Sequence, residues 1–171
     1  MRIYNKRIMN HEEEIRTLSI PSATIYWNGP ISFSNVERKS GGGLYVIIKK
    51  DGRPIYVGQT GSFSRRFRAR NNILRQTACD LSRRVVYLGV IQLPRGRGKN
   101  LNLRLDLESV LIRSYLRRGF KLANRSSIKR FMMGSKDALI QNKGIIPPKM
   151  KRQIILNRKE KFELDLINNG R

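Results

Sequence analysis

Two short apolar runs on either side of an Asp51-Gly52 pair constrain the fold of this chain more than any other feature. The runs LYVIIKK (44–50) and RPIYVG (53–58) are rich in β-branched and aromatic residues, which favour strands. Asp-Gly is a preferred pair for the tight turn of a β-hairpin. We therefore predict an antiparallel hairpin that has Tyr45 on its first strand and Tyr56 on its second.

The segment directly after the hairpin has the pattern of a capped helix with arginines on two faces. Ser62 can accept a hydrogen bond from the first helical turn, and the pattern predicts a helix to about Thr77. At 100° per residue, Arg66 and Arg70 lie toward the phenylalanine face that would pack on the sheet. The other face is typical of a solvated or phosphate-binding surface and includes Arg65, Arg68 and Arg75.

A second, longer helix is predicted over residues 101–119, where Gly119 ends an apolar periodic pattern. Glu108 falls inside the apolar arc of this helix. Two interpretations are open, either a salt bridge to Arg104 one turn earlier or a role as divalent-metal ligand. Glu108 is the only glutamate among residues 44–126, which makes it the leading candidate for a metal ligand. The polar side of the helix consists of Ser109, Arg113, Asp106 and Arg117, and the other carboxylates of the region are Asp51, Asp80 and Asp106.

Strand patterns also occur outside the hairpin. ATIYWN (23–28) and RRVVYLGVIQL (83–93) predict two further strands. The segment 128–143 is interpreted as helical, and IIPPK (145–149) as a break in regular structure. The remaining C-terminal residues fit a hairpin or a helix.

The charge of the chain indicates a polyanionic partner. There are 36 Lys and Arg residues against 12 Asp and Glu residues, and residues 44–126 hold 19 of the basic ones but only 4 acidic ones. Nucleic acid is the default partner for a charge of +24. A membrane partner is disfavoured, because no long basic amphipathic helix is found and the longest apolar run, 85–93, is too short to span a bilayer.

Cysteine and histidine are scarce. With Cys79 as the one cysteine and His11 as the one histidine, an intrachain disulfide is excluded and a zinc site is poorly supplied. The N-terminus has no apolar signal-peptide core, so a cytoplasmic location is expected, with export without a signal peptide as the alternative.

The ordered set of tyrosines, arginine, glutamate and asparagine resembles the GIY-YIG nuclease superfamily. Gly43-Leu44-Tyr45 is similar to the first half-motif, and Tyr56-Val57-Gly58 is similar to the second. Arg66 matches the arginine of the helix that follows. Glu108 matches the metal-binding glutamate of the family, and Asn124 matches a late asparagine.

The resemblance covers about residues 43–126 and implies a fold. It implies an α/β domain of the α+β type, in which a small, largely antiparallel central sheet is flanked by helices. Residues 1–42 would then be an N-terminal extension and residues 127–171 a basic C-terminal extension.

The resemblance also implies hydrolysis of DNA with one Mg²⁺ or Mn²⁺ ion. In related enzymes a water molecule attacks the scissile phosphate, and here Tyr45 would deprotonate or orient that water, with Tyr56 beside it. Arg66 would stabilise charge on the transition-state phosphate. Glu108 would hold the metal near the leaving oxygen, and Asn124 would support the site by hydrogen bonds.

One position departs from the family pattern. Many members have a histidine one turn after the arginine, where this chain has Arg70. Arginine cannot act as a base near neutral pH, so more weight falls on Tyr45 or on metal-bound water. Arg70 is still placed among the catalytic residues, because Arg66 and Arg70 are expected to lower the pKa of Tyr45.

Double-stranded DNA is the expected partner, and its backbone would be held by Arg65, Arg68, Arg75, Arg95, Arg97 and Lys99. Two alternatives are open, namely a non-catalytic nucleic-acid-binding protein of the ribosomal kind and a ribonuclease toxin. Within the nuclease interpretation, restriction, mobile-element, repair and toxin roles all fit, and a toxin would have an immunity protein as partner. The flanks are long enough for added DNA contacts or for a homodimer interface.

Overall fold

The computed structural model describes residues 22–68, 83–92, 101–124 and 138–156, which form six strands and three helices. In chain order these elements are β1 (Ser22–Ile31), α1 (Phe33–Val36), β2 (Gly43–Lys49), β3 (Pro54–Thr60), α2 (Phe63–Phe67), β4 (Arg84–Gln92), α3 (Leu101–Leu116), β5 (Ala138–Gly144) and β6 (Gln153–Leu156).

All six strands belong to one sheet in the order β3-β2-β4-β1-β5-β6. Every neighbouring pair is antiparallel except β1 and β5, which are parallel. The predicted fold class, a largely antiparallel sheet with helices, is therefore confirmed. Strands β1, β5 and β6 come from the segments before residue 43 and after residue 126, so both flanks contribute strands to the same sheet as the central segment.

The predicted hairpin is confirmed as β2 and β3. Gly52 has a φ angle of 82°, a left-handed conformation that glycine adopts without a Cβ clash. The Asp51 carboxylate accepts a hydrogen bond from the Arg53 backbone N–H at 3.0 Å and forms an exposed ion pair with its guanidinium at 2.6 Å. The register places Tyr45 opposite Gly58 on the edge strand of the sheet.

The two faces of the sheet bury different apolar clusters. On one face α3 packs against the strands, and this cluster includes Leu44, Val46, Val57, Leu107 and Leu111. On the other face α1 and α2 cover part of the sheet, and this cluster includes Phe33, Tyr45, Tyr56, Phe63 and Phe67. Alternate residues of β2 thus enter opposite clusters, as the pleat of a strand requires.

Helix α2 is shorter than the sequence predicts. Ser62 caps it as expected, accepting a hydrogen bond from the Arg65 backbone N–H at 3.4 Å. The helix ends at Phe67, and Arg68 has an extended backbone with ψ of 145°. The prediction of one continuous helix to Thr77 is therefore wrong. Phe63 and Phe67 are one turn apart, so five helical residues are enough to bury both side chains.

Helix α3 forms as predicted, and Gly119 follows it with a φ angle of 80°. Its predicted polar side is exposed only in part, since Ser109 and Arg113 are buried, Asp106 is half-buried and Arg117 is exposed. The Ser109 hydroxyl donates a hydrogen bond to the backbone carbonyl of Leu105 at 3.0 Å, which satisfies it within the helix. The loop after β5 also contacts this helix, since the Tyr115 hydroxyl donates a hydrogen bond to the backbone carbonyl of Pro148 at 3.3 Å.

The helical interpretation of residues 128–143 is wrong over the part that the structure describes. Residues from Ala138 onward form β5, which pairs with β1 on one side and β6 on the other. The buried Trp27 indole donates a hydrogen bond to the Asn142 side-chain carbonyl at 2.8 Å, linking β1 to β5. Pairing within the sheet overrides the local pattern. The predicted break at 145–149 is confirmed as a turn. In the described residues no helix has the length and apolar composition needed to cross a membrane.

Candidate active site at the edge of the sheet

The Tyr45 ring lies across the edge strand because Gly58, its partner in β3, has no side chain. A Cβ atom on Gly58 would stand 2.8 Å from Cε1 of Tyr45 and closer still to its Cζ and Oη. The absence of that atom allows the ring to cross β3, so that the Tyr45 hydroxyl reaches the outer edge of the sheet.

Aromatic rings fix the Tyr45 side chain on two sides. The Tyr56 ring stacks with it at a centroid distance of 5.9 Å and an angle of 8° between planes. The Phe67 ring meets it edge-on, with centroids 5.0 Å apart. Tyr45 is fully buried and Tyr56 is 6% exposed. The hairpin and α2 together therefore determine the position of both hydroxyls.

One guanidinium joins the two tyrosines. Arg66 of α2 donates from Nε to the Tyr45 hydroxyl at 2.9 Å and from Nη2 to the Tyr56 hydroxyl at 3.5 Å. The side chain of Arg66 is half-buried, whereas the neighbouring Arg65 is exposed. The prediction that Arg66 faces the tyrosines and Arg65 does not is confirmed.

The pKa of Tyr45 moves in the opposite direction from the sequence-based expectation. Burial raises this pKa well above its usual range, and Tyr56 beside it adds to the rise. Arg66 lowers the pKa of Tyr45 by its charge and hydrogen bond, but by less than burial raises it. The expected lowering by Arg66 is present, but the net shift is upward, because a fully buried hydroxyl loses the water that would solvate its anion. Tyr45 therefore keeps its proton at neutral pH.

Asn124 binds the backbone of the edge strand directly behind Tyr56. Its side-chain carbonyl accepts a hydrogen bond from the Val57 N–H at 3.4 Å, and its amide donates to the Val57 carbonyl. A neighbouring position on the edge is also bound, since the Ala123 N–H donates to the Ile55 carbonyl at 2.8 Å. The segment after α3 thus satisfies outward-facing backbone groups of β3 that would otherwise lack partners.

Glu108 comes from the helix on the other face of the sheet. It is 8% exposed, and its neighbours Leu107 and Val110 pack in the cluster with Val57. Arg104, one turn earlier on α3, donates from Nε to the Gln59 side chain at 3.2 Å, so this helix also reaches the edge strand. The structure therefore brings Tyr45, Tyr56 and Arg66 into one cluster, and Glu108 belongs to the helix that packs on the opposite face of the sheet.

A single carboxylate remains compatible with a magnesium or manganese ion. The described residues contain no group of three or more His, Cys, Asp or Glu side chains that could hold a metal. Mg²⁺ keeps several water ligands and is commonly bound by one or two carboxylates together with substrate phosphates. Glu108 is the residue that the sequence predicts to provide such a carboxylate. Asp106 is less buried than Glu108, and burial raises the pKa of its carboxyl group.

Comparisons with known proteins identify no relative. No protein-family model, no curated protein and no solved structure matches this chain. The geometry and the charge of the site are thus the basis for a functional proposal.

Several residues with predicted roles lie outside the described part of the chain. Arg65 and Arg68, both predicted to contact DNA, are described, and their side chains are exposed. The other predicted site residues lie outside the described ranges, and they are Arg70, Arg75, Arg95, Arg97 and Lys99.

Sequence reasoning included Gly58 in a half-motif but missed its structural role. Counting outward from the Asp51-Gly52 turn pairs Tyr45 with Gly58, and the structure has this register from Gly43 to Ile47. The hairpin pattern could therefore have identified Gly58 as the residue that makes room for the tyrosine.

Proposed function

We propose that this chain is a divalent-metal-dependent endonuclease of the GIY-YIG type that hydrolyses phosphodiester bonds in DNA. The observation that supports this proposal is the guanidinium of Arg66, oriented by the hydroxyls of Tyr45 and Tyr56 at the edge of the sheet. The charge of +24 suits a substrate with a phosphate backbone.

Arg66 is the group of the cluster that a phosphate can reach. It donates two of its five N–H groups to the tyrosines, which leaves three for the oxygens of a phosphate. Its fork geometry matches phosphate oxygens and needs no rearrangement during reaction, because the tyrosines already hold it. The contact would strengthen as negative charge develops on the pentacovalent phosphate.

The tyrosines act through Arg66 in this proposal. Tyr45 is fully buried and burial raises its pKa, so it would orient the guanidinium rather than remove a proton from water. Asn124 would fix the strand that bears Tyr56. Glu108 would hold Mg²⁺ or Mn²⁺, and the bound metal would supply Lewis-acid stabilisation of the leaving oxygen.

A specific observation also favours the alternative of a nucleic-acid-binding protein without cleavage activity. Tyr45 has no exposed surface, and Glu108 belongs to the helix that packs on the opposite face of the sheet. Both features are compatible with a tyrosine–arginine cluster that only stabilises the hairpin and a glutamate that is only structural.

Plasmid cleavage distinguishes the two functions. The full chain should nick or linearise supercoiled plasmid in Mg²⁺ or Mn²⁺, and EDTA should stop the reaction. Glu108→Gln should abolish cleavage while DNA binding persists, and the matched change Asp106→Asn on the same helix should leave cleavage largely intact. Metal-dependent binding without any strand cleavage would contradict the nuclease proposal, and cleavage that survives Glu108→Gln would contradict the metal assignment.

A further inference from the structure

The sheet face that includes Tyr45 also has an open area on its central strands. Tyr26 of β1 is 44% exposed and Val90, its partner in β4, is 53% exposed. Lys143 of β5 pairs with Tyr26 on the other side and is also exposed. In-register partners share a face, so an aromatic ring, an aliphatic group and an ammonium group stand side by side on this area.

Strand register fixes where this open area lies. Asn28 of β1 and Tyr45 of β2 are both partners of Leu88 in β4, so these three residues form one row across the sheet. Tyr26 is two residues before Asn28, which places it on the same face and roughly 7 Å farther along the strand. The exposed ring of Tyr26 therefore lies on the Tyr45 side of the sheet, opposite to α3.

A cationic cavity adjoins this open area. It has a volume of about 440 Å³ and is lined by Asn28, Pro30, Ile31, Ser32, Asn35, Arg38 and Lys39. Asn28, which is exposed and lies two residues after Tyr26 on β1, also lines the cavity. Within the described residues, neither Arg38 nor Lys39 has an ion-pair partner. The cavity thus offers two cations and several hydrogen-bonding side chains at the end of the strand that bears Tyr26.

We propose that this face binds an unpaired stretch of DNA, with one base stacked on Tyr26 and a backbone phosphate in the Arg38–Lys39 cavity. An exposed aromatic ring beside a cationic groove is the arrangement that single-strand binding requires, because any base can stack and the cations follow the backbone. A paired duplex has no unstacked base to place on the ring. An acidic protein partner would use the cations but would gain nothing specific from a base-sized aromatic surface.

Binding to single strands with and without bases tests the stacking contact. The probes are a labelled oligothymidylate of about 12 nucleotides, a length within the range of such sites, and an abasic strand of the same length, both in EDTA so that cleavage plays no part. The wild-type chain should bind the base-containing strand roughly 5- to 150-fold more tightly than Tyr26→Ala does, the range that one base–aromatic stack provides. The abasic strand should bind both proteins alike.

Two controls separate stacking from other effects of the substitution. Tyr26→Phe keeps the ring and should retain the affinity, and Leu101→Ala removes an exposed apolar side chain from the α3 side and should change nothing. The proposal is overturned if Tyr26→Ala binds oligothymidylate as the wild type does, or if Tyr26→Phe is as weak as Tyr26→Ala. It is also overturned if the preference for bases over abasic backbone survives in Tyr26→Ala.

Salt dependence tests the phosphate contact in the cavity. Replacing Arg38 and Lys39 by glutamine should lower the slope of log Kd against log salt by roughly 0.7 for each phosphate that the protein no longer neutralises. The matched double change Lys50→Gln with Lys121→Gln removes the same charge from exposed positions that do not line the cavity, and it should lower the slope less. Equal slopes in the two double variants would overturn the cavity assignment. These measurements do not depend on cleavage, so they can fail while the nuclease proposal stands, or succeed if it falls.

Discussion

Gly58→Ala is the substitution whose effect follows most directly from the packing of the site. The added methyl group would stand 2.8 Å from Cε1 of Tyr45 and closer still to Cζ and Oη, whereas ordinary contacts begin near 3.4 Å, so the ring must retreat by ~1 Å. Tyr56 and Phe67 pack against that ring, and because Tyr45 is fully buried there is no open space into which the ring can move. Overpacking of this kind costs ~1–3 kcal/mol.

The expected loss of stability corresponds to a fall in Tm of roughly 2–12 °C for a chain of this size. Differential scanning calorimetry measures it. The same shift of the ring should lengthen the hydrogen bond from Arg66 to the Tyr45 hydroxyl, so the rate of DNA cleavage should fall even at temperatures where the variant is folded.

A matched glycine and a second-site change test the reasoning. A Cβ on Gly61, just after β3, would find its nearest neighbour, a terminal nitrogen of Arg104, at 3.6 Å. Gly61→Ala should therefore leave Tm unchanged or raise it by ~1–4 °C. Combining Gly58→Ala with Tyr45→Leu should reduce the cost of the alanine, because the shorter side chain vacates the space. The packing argument would be refuted if Gly58→Ala had the Tm of the wild type. It would also be refuted if Gly58→Ala lowered Tm as much in the Tyr45→Leu background as in the wild-type background.

Two further predictions concern the groups around the cluster. Asn124→Ala leaves the N–H and carbonyl of Val57 without their side-chain partner, so it should lower the unfolding free energy by about 1–3 kcal/mol, as measured by urea denaturation. Hydrogen exchange of the Val57 amide should also become faster, and an unchanged exchange rate would contradict the hydrogen bond. Burial raises the pKa of Tyr45 above its usual value of ~10, so above pH ~10 the folded state keeps a proton that the unfolded chain releases. The unfolding free energy should therefore be unaffected by this group below pH ~10 and should fall by ~1.4 kcal/mol per pH unit above it. Tyr45→Phe should remove this part of the alkaline slope, and an identical slope in the variant would show that Tyr45 is not protected.

The parts of the fold that follow from short-range patterns could be predicted from the sequence. The hairpin depends on Asp51 and Gly52 and on the alternation of the flanking residues, which are local features. The start of α2 depends on the Ser62 cap, and the end of α3 depends on Gly119. The orientation of Arg66 toward the tyrosines also followed, because it lies only four residues after the cap.

Features that depend on distant partners could not be predicted in this way. Residues from Ala138 form a strand because β1 and β6 lie on either side, and no local pattern reports those neighbours. Helix α2 ends at Phe67 although no glycine or proline follows directly, and Phe67 packs against Phe33 and Tyr45, which are distant in sequence. The direction of the Tyr45 pKa shift depends on complete burial, which the charges of nearby arginines in the sequence do not reveal.

Single-turnover cleavage at saturating enzyme, compared between Arg66→Ala and Arg65→Ala, tests the central claim most directly. Saturation removes the binding contribution, so the rate reports the interaction that develops with the transition state. Arg66→Ala should lose ~10²–10³-fold in rate, as expected when one electrostatic donor to the transition state is removed. Arg65→Ala, which removes an exposed cation one residue away, should cleave at the wild-type rate once saturated. Equal losses in the two variants, with melting curves that show both to be folded, would contradict the account.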